Sequence, residues 1–388
     1  MRFITGPRQV GKTTLARRKL QEENCENLYY LWDLRTTRQR YKDNELFFTQ
    51  DTLAAEGKEK YWLCFDEIHK LPKWKNIIKA AFDETGEKYF FIVTGSAKLN
   101  ILKQAGDSLA GRYFTFHLFP LSLREITGST FTIQDVPEKG IDFITRQIAA
   151  DEKSYAAMES LLTFSGFPEP FLQQSKAFHK KWTRDYLETI IHEDIASLTR
   201  IVDRENIYDL YHLLPEMVGS PLSHSSLAGH LQISPVTVKN YLRRLEDFYL
   251  AFSLRPYVKN IKRSLLKAPK FYLYDWTQIN NEAARFENYV ACELKNRIML
   301  WGDATGDEFQ LFYIRNKQKQ ETDFLILRDL QPWLLVEVKI SDGSLAGHHF
   351  ANSQALGGIP LVQVCRQPGI LSQQGRVAFR MSAGRFLG

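Results

Sequence analysis

Cysteine is scarce, with Cys25, Cys64, Cys292 and Cys365 the only ones in 388 residues. No two form a CxxC pair, which excludes the usual cysteine zinc and redox motifs. Cys64 and Cys365 sit in apolar runs and read as reduced packing residues. No stretch reaches the roughly 18 apolar residues of a membrane span, and the first residues form no apolar signal segment. The expectation is a cytoplasmic protein with no membrane partner. Repeats and low-complexity tracts are also missing, which excludes solenoids and long disordered linkers. Nor does charge of one sign dominate. Lys and Arg number 51 against 45 Asp and Glu, for a net charge of +6 and a pI near 8.9. That balance is compatible with nucleic acid and does not demand it.

What is present is globular: 44% hydrophobic and 25% charged residues, in a chain long enough for two or three domains. It opens RFITGPRQVGKTTLARRKL, and Gly6 to Thr13 match GxxxxGK[ST] between an apolar segment and a helix-like run. The glycines let backbone N–H groups close around phosphates, and the following helix begins with its positive end there. Gly6, Pro7, Arg8, Gln9, Val10, Gly11, Lys12, Thr13 and Thr14 are therefore expected to hold ATP. Lys12 would reach the β- and γ-phosphates and Thr13 would ligate Mg²⁺.

YWLCFDE is an apolar strand ending in two acids. Alone it would be a strand reaching the surface. Behind a phosphate loop, Asp66 belongs to the Mg²⁺ shell and Glu67 orients or deprotonates the attacking water. KYFFIVTGS ends at Thr94 and Ser96, where a polar group would sense the γ-phosphate or simply close a turn. HKLPKWKNIIKAAFDE reads as a helix between those two strands. NLYYLWDL and YFTFHLFPL add strands, so the alternation predicts a parallel sheet with helices on both faces.

Together GPRQVGKTT, FDEIHKLPKW, TGSAKLN, SLAGRYFTFHLFPLSLREI and SGFPEPF resemble a large group of predicted prokaryotic AAA-type ATPases. These carry an ASCE/AAA-type P-loop domain and a C-terminal domain of restriction-endonuclease-like fold. The resemblance implies that Arg112 faces nucleotide, within the chain or across a subunit boundary. The other reading is a structural pair with a carboxylate. Ser165 departs from the glycine common in that group before GFPE, and the chain begins almost at the first strand, without the usual lead-in.

Residues 123–218 look helical and polar, the lid and connector of the ATPase, with Asp194 and Arg200 on a solvated face or an interface. SHSSLAGHLQISPVTVKNYLRRLEDFYLAFSL then has the layout of a winged helix-turn-helix. Ser223 caps a short helix and Pro235 opens a second one. Val238, Tyr241, Leu242, Leu245 and Phe248 form its apolar side. Thr237, Lys239, Asn240, Arg243 and Arg244 form the other, which suits DNA. The acid-free run Arg255 to Lys270, with Lys259, Lys262, Arg263 and Lys267, would track phosphates as a wing or pack against protein.

The back end reads as a helix from Ala284, three strands (QLFYIRN, ETDFLILRD, WLLVEVKI), a helix and a strand. This αβββαβ order resembles the PD-(D/E)xK nuclease core. The resemblance makes Asp323 the acid of the second strand, Glu337 and Lys339 the acid and lysine of the third, and Glu287 the acid of the helix. Thr322 replaces the family's proline. Strand alternation puts Glu337 and Lys339 on one face, and opposite charges buried there must be paired or hold a metal. Asp323, Glu337 and Glu287 would bind Mg²⁺, while Lys339 acts on water and on transition-state charge. An inactive binding remnant is the competing reading.

The expected domains are 1–122 (P-loop ATPase), 123–218 (helical lid and connector), 219–270 (winged helix-turn-helix) and 271–388 (nuclease-like). Two functions follow. One is an ATP-controlled enzyme acting on DNA. The other is a non-cleaving ATPase switch whose later domains bind a protein partner or a second copy of the chain.

Overall fold

The structure, a computed structural model, describes residues 1–52, 58–68, 71, 73–95, 109, 111–195, 204–258 and 267–388. Ser96, Arg200, Lys259, Lys262 and Arg263 lie outside the described residues. The chain divides into two compact units. One comprises Met1–Phe119 with Asp247–Tyr249, and the other Pro120–Glu246 with Leu250–Gly388.

In the N-terminal unit, five parallel strands make one sheet. They are β1 (Arg2–Thr5), β2 (Tyr29–Leu31), β3 (Tyr61–Asp66), β4 (Tyr89–Thr94) and β5 (Phe114–His117), in the order β2-β3-β4-β1-β5. The central strands read as near-continuous apolar runs because both of their faces are covered. Leu63, Cys64, Phe91 and Val93 are fully buried. Strand β4 separates the strand entering the phosphate loop from the strand carrying the acids. Helix Lys12–Glu22 follows β1 and buries Lys12, Ala16 and Leu20, the i, i+4 spacing of a single face. Helix Trp74–Thr85 links β3 to β4 over most of the expected span.

In the C-terminal unit, eight strands form a second sheet. Its centre is an antiparallel meander of β8 (Phe309–Arg315), β9 (Glu321–Arg328) and β10 (Gln331–Lys339). Strand β11 (Leu361–Cys365) joins β10 in parallel, after a crossover that carries helix Gly347–Ala355. Helix Glu282–Thr305 precedes the meander. The Asn281 side chain caps its start by accepting the Ala284 N–H, and Gly306 at φ 84° ends it. The order αβββαβ is therefore present.

Two boundaries differ from the expected ones. Helices Pro235–Asp247 and His224–Leu231 form as predicted, the latter capped by Ser223. The antiparallel pair that follows, β6 (Ala251–Pro256) and β7 (Lys270–Leu273), joins the same sheet through β6 alongside β8. A cut at 270/271 would fall inside β7. Residues 123–218 also belong to this unit rather than to the ATPase unit. Arg366 pairs with Glu159, the Gln147 amide donates to Phe386 O, and Arg328 donates to Pro137 O and Glu138 O. These helices complete the covering of the C-terminal sheet.

Candidate nucleotide and carboxylate sites

The loop from Gly6 to Gly11 leaves the C-terminal end of β1. Two of its glycines are required by the backbone. A Cβ on Gly6 would lie 1.8 Å from Leu118 O, and Gly11 caps the helix at φ 96°. Gln9 also adopts positive φ, at 59°. The Lys12 ammonium, nearly buried, donates to Gly6 O at 3.0 Å and to Pro7 O. Arg8, Val10 and Thr14 lie in the same segment, within the loop and the first turn of the helix.

Asp66 ends β3 and is buried. Thr13 Oγ1 donates to its Oδ2 at 2.7 Å, the Tyr29 hydroxyl donates to the same oxygen, and the Thr94 hydroxyl donates to Oδ1. Burial, followed by the Asp66 carboxylate, raises the Tyr29 pKa, so the phenol stays a donor. Glu67 follows at φ 57°, an uncommon conformation for a glutamate, and its N–H donates to Thr94 O at 3.2 Å. Lys12, Thr13, Asp66, Glu67 and Thr94 are thus gathered at the C-terminal ends of β1, β3 and β4, where ligands bind in open α/β sheets. Thr13 and Asp66 offer a hydroxyl and a carboxylate to one point, a donor set that suits Mg²⁺.

Arg112 is not among them. Its guanidinium makes a two-pronged pair with Asp83, Nε to Oδ1 at 2.6 Å and Nη2 to Oδ2 at 3.2 Å. Its carbonyl accepts from the Met1 amino group at 2.8 Å, at the N-terminal end of β1. The phosphate loop leaves the other end of that strand. Within one chain Arg112 therefore lies at the end of β1 opposite the phosphate loop, and the carboxylate pair with Asp83 forms.

In the C-terminal unit, Glu287, Asp323, Glu337 and Lys339 do converge. A cavity of about 260 Å³ is lined by Gly219, Ser220, Ala284, Glu287, Asp323 and Lys339, among others. Where β9 and β10 part, Asp323 Oδ2 accepts the Val338 N–H at 2.8 Å and Glu337 Oε2 faces the Asp323 N–H at 3.4 Å. Lys339 Nζ pairs with Glu337 Oε1 at 2.6 Å. The glutamate side chain is buried, whereas the lysine side chain is 52% exposed, so only one member of the Glu-x-Lys pair lies in the interior.

Burial raises the Asp323 carboxyl well above the usual range, and the Glu287 and Glu337 charges add to this. Burial also raises Glu337, against the lowering effect of Lys339. Burial lowers the Lys339 ammonium, but the carboxylates of Glu337, Asp323 and Glu287 together raise its pKa. Among the described residues, no group of three or more His, Cys, Asp or Glu side chains is spaced to hold a metal ion. What the chain offers is two adjoining carboxylates whose charges oppose one another. This fits a magnesium ion that keeps its waters and takes further oxygens from a phosphate.

Three further residues complete this site and were missed in the sequence. Lys270, read there as a phosphate contact, is buried and pairs with Glu321 at 2.8 Å and Glu287 at 3.6 Å. The Tyr272 hydroxyl donates to Glu287 Oε1 at 2.8 Å. His349 Nδ1 lies 2.9 Å from the Thr322 hydroxyl and 3.6 Å from Glu337 Oε2, and burial lowers its pKa to about 4. A charged lysine opening the apolar run FYLY was a usable signal, since such a buried cation requires acids beside it. Tyr272 and His349 left no comparable mark.

Residues 1–127 match the family model of an AAA domain, and residues 155–281 match that of a domain of unknown function. An uncharacterized protein of Mycobacterium tuberculosis is 23% identical over 339 residues, spanning 85% of this chain and 68% of that protein. Another, from Methanocaldococcus jannaschii, is 26% identical over 288 residues, 71% of this chain and 60% of that protein. A third, from Haemophilus influenzae, is 24% identical over 317 residues, 76% of this chain and 74% of that protein. Among solved structures, the Bacillus subtilis DNA clamp loader delta protein aligns over 78% of this chain and 95% of that chain, at 10% identity and a TM-score of 0.25. Among the described residues, no helix is long and apolar enough to cross a membrane. The five-stranded parallel sheet, the loop geometry and the AAA match together support a P-loop ATPase domain at the N-terminus of this chain.

Proposed function

We propose that the N-terminal unit binds ATP with magnesium and hydrolyses it. The observation that carries this reading is the direct approach of Thr13 to Asp66 beside the buried Lys12. Lys12 would exchange its loop carbonyls for the β- and γ-phosphate oxygens, and the backbone of residues 6–14 would cradle the phosphates. Thr13 and Asp66 would hold the magnesium ion, which supplies charge neutralisation on the phosphate oxygens. Glu67 accepts the proton of the attacking water, and its backbone, tied to Thr94, keeps the carboxylate beyond the end of the strand. Glu67→Gln tests the assignment. ATP affinity should persist while phosphate release falls by about two orders of magnitude. Release at the wild-type rate would require another base.

For the C-terminal unit the proposal is a PD-(D/E)xK-type phosphodiester site served by DNA. Helix Pro235–Asp247 exposes Lys239, Asn240 and Arg243, opposite its buried Val238, Tyr241, Leu242 and Leu245. These are side chains that contact a groove in winged helix-turn-helix proteins. Asp323 and Glu337 would hold a divalent cation that supplies Lewis acidity at the phosphate. Glu287, fixed by Tyr272, supports them, and Lys339 orients water. Two observations favour the non-cleaving switch instead: Lys339 already pairs with Glu337, and among the described residues no group of three or more His, Cys, Asp or Glu is placed to hold a metal ion. Incubation with plasmid, linear and single-stranded DNA in Mg²⁺ or Mn²⁺, with and without ATP, separates the two readings.

A further inference from the structure

The nucleotide site contains a side chain that the phosphate-loop motif does not include. Tyr29 opens β2, the strand beside β3, and its hydroxyl donates to Asp66 Oδ2, the oxygen that also receives Thr13. The Arg17 guanidinium lies over the Tyr29 ring, 4.2 Å from its centre. Arg17 is four residues after Thr13, so one face of the phosphate-loop helix touches Asp66 through Thr13 and holds the tyrosine through Arg17. Thr94, at the end of β4, donates to the other Asp66 oxygen.

We propose that Tyr29 is a positioning residue for magnesium: its hydroxyl fixes the Asp66 carboxylate in the orientation that receives the ion with ATP. This rests on the ATP–magnesium reading above and deepens it. A carboxylate at the end of a strand turns about its last side-chain bond. Hydroxyls on both oxygens remove that freedom before the ion arrives, so less is lost when it binds. Of the three hydroxyls, Thr13 is expected to touch the ion and Thr94 to sense the γ-phosphate or close the turn. Tyr29 would touch neither, which leaves orientation as its contribution.

The test uses the full chain and Tyr29→Phe, which removes one oxygen and keeps the ring under Arg17. ATP binding is titrated against Mg²⁺ by calorimetry, then repeated in EDTA, and melting temperatures are recorded. The Mg²⁺ concentration for half-maximal binding should rise about tenfold, the lower end for loss of an outer partner of a metal ligand. ATP affinity in EDTA and the melting temperature should stay at wild-type values. An unchanged Mg²⁺ midpoint overturns the inference. So does a parallel loss of binding with and without Mg²⁺, which would assign Tyr29 to the fold alone. A wild-type chain that binds no ATP at any Mg²⁺ concentration overturns the P-loop reading and this inference with it.

Discussion

Asp66 ends β3 and Asp323 lies in β9 where it parts from β10, and their surroundings are opposite. Asp66 is met by three hydroxyls, from Thr13, Tyr29 and Thr94, with Lys12 nearby in the loop. Asp323 is met by one backbone N–H and has Glu287 and Glu337 as electrostatic neighbours, with Lys270 as its compensating cation. The first carboxylate accepts hydrogen bonds from neutral donors on both of its oxygens. The second is pushed toward its neutral form by burial and by like charge. In the reading proposed above, the N-terminal site would receive an anion together with its cation, and the C-terminal site would take a hydrated divalent cation.

The largest effect expected on this comparison comes from Lys12→Ala. Without the ammonium that meets the phosphates, ATP–Mg²⁺ affinity should fall by at least about a hundredfold. Calorimetry showing unchanged affinity would end the assignment of the first site. Lys339→Ala is the next test. With its lysine side chain half exposed, the pair contributes little to the fold, so the melting temperature should change little. Any cleavage of DNA should fall about a hundredfold, because the lysine acts on water and on transition-state charge. A large drop in melting temperature, with no cleavage by the wild type, would make the pair structural.

A smaller and subtler effect is expected of Asp323→Asn. The Asp323 pKa is raised in the folded chain, so the native state holds a proton that the unfolded chain has released. The stability this contributes is complete below the ordinary aspartate pKa of about 3.9 and is lost as pH rises through the raised value. The amide has no such loss. The melting temperature of Asp323→Asn relative to wild type should therefore climb with pH above about 4. Added Mg²⁺ should raise the wild-type melting temperature at neutral pH more than that of the variant. Parallel pH profiles would show that Asp323 is not under electrostatic stress.

The difference between the sites also decides what could be read in advance. Residues 6–14 are contiguous and match a phosphate-loop pattern, so sequence alone singled them out. The acids at Asp66 and Glu67 were read as functional only because a phosphate loop precedes them; alone they would mark a strand reaching the surface. The carboxylate site comes from a helix and two strands, and was legible only through strand alternation and a resemblance. What supports each site was not legible. Tyr29 looks like any tyrosine in an apolar strand, and its hydroxyl acquires meaning only when β2 pairs with β3. Lys270 gave a signal by opening an apolar run, but its partners, Glu287 and Glu321, could not be read from that run. Arg112 shows the converse. The motif LAGR was visible, but which end of β1 it meets is a property of the sheet.

The closeness of Gly6 to Leu118 O bears on how the first site is made during synthesis. The Leu118 N–H also donates to Thr5 O at 2.8 Å, so the wall beside the loop comes from the segment that follows β5, the last strand of that sheet to be synthesised. The motif emerges from the ribosome first, but its fence arrives more than a hundred residues later. A nascent chain that has reached only β4 carries every residue of the phosphate loop without the backbone that confines it. Nucleotide capture would then report that the whole N-terminal sheet has been completed, and ATP present during translation would favour chains that have passed that point.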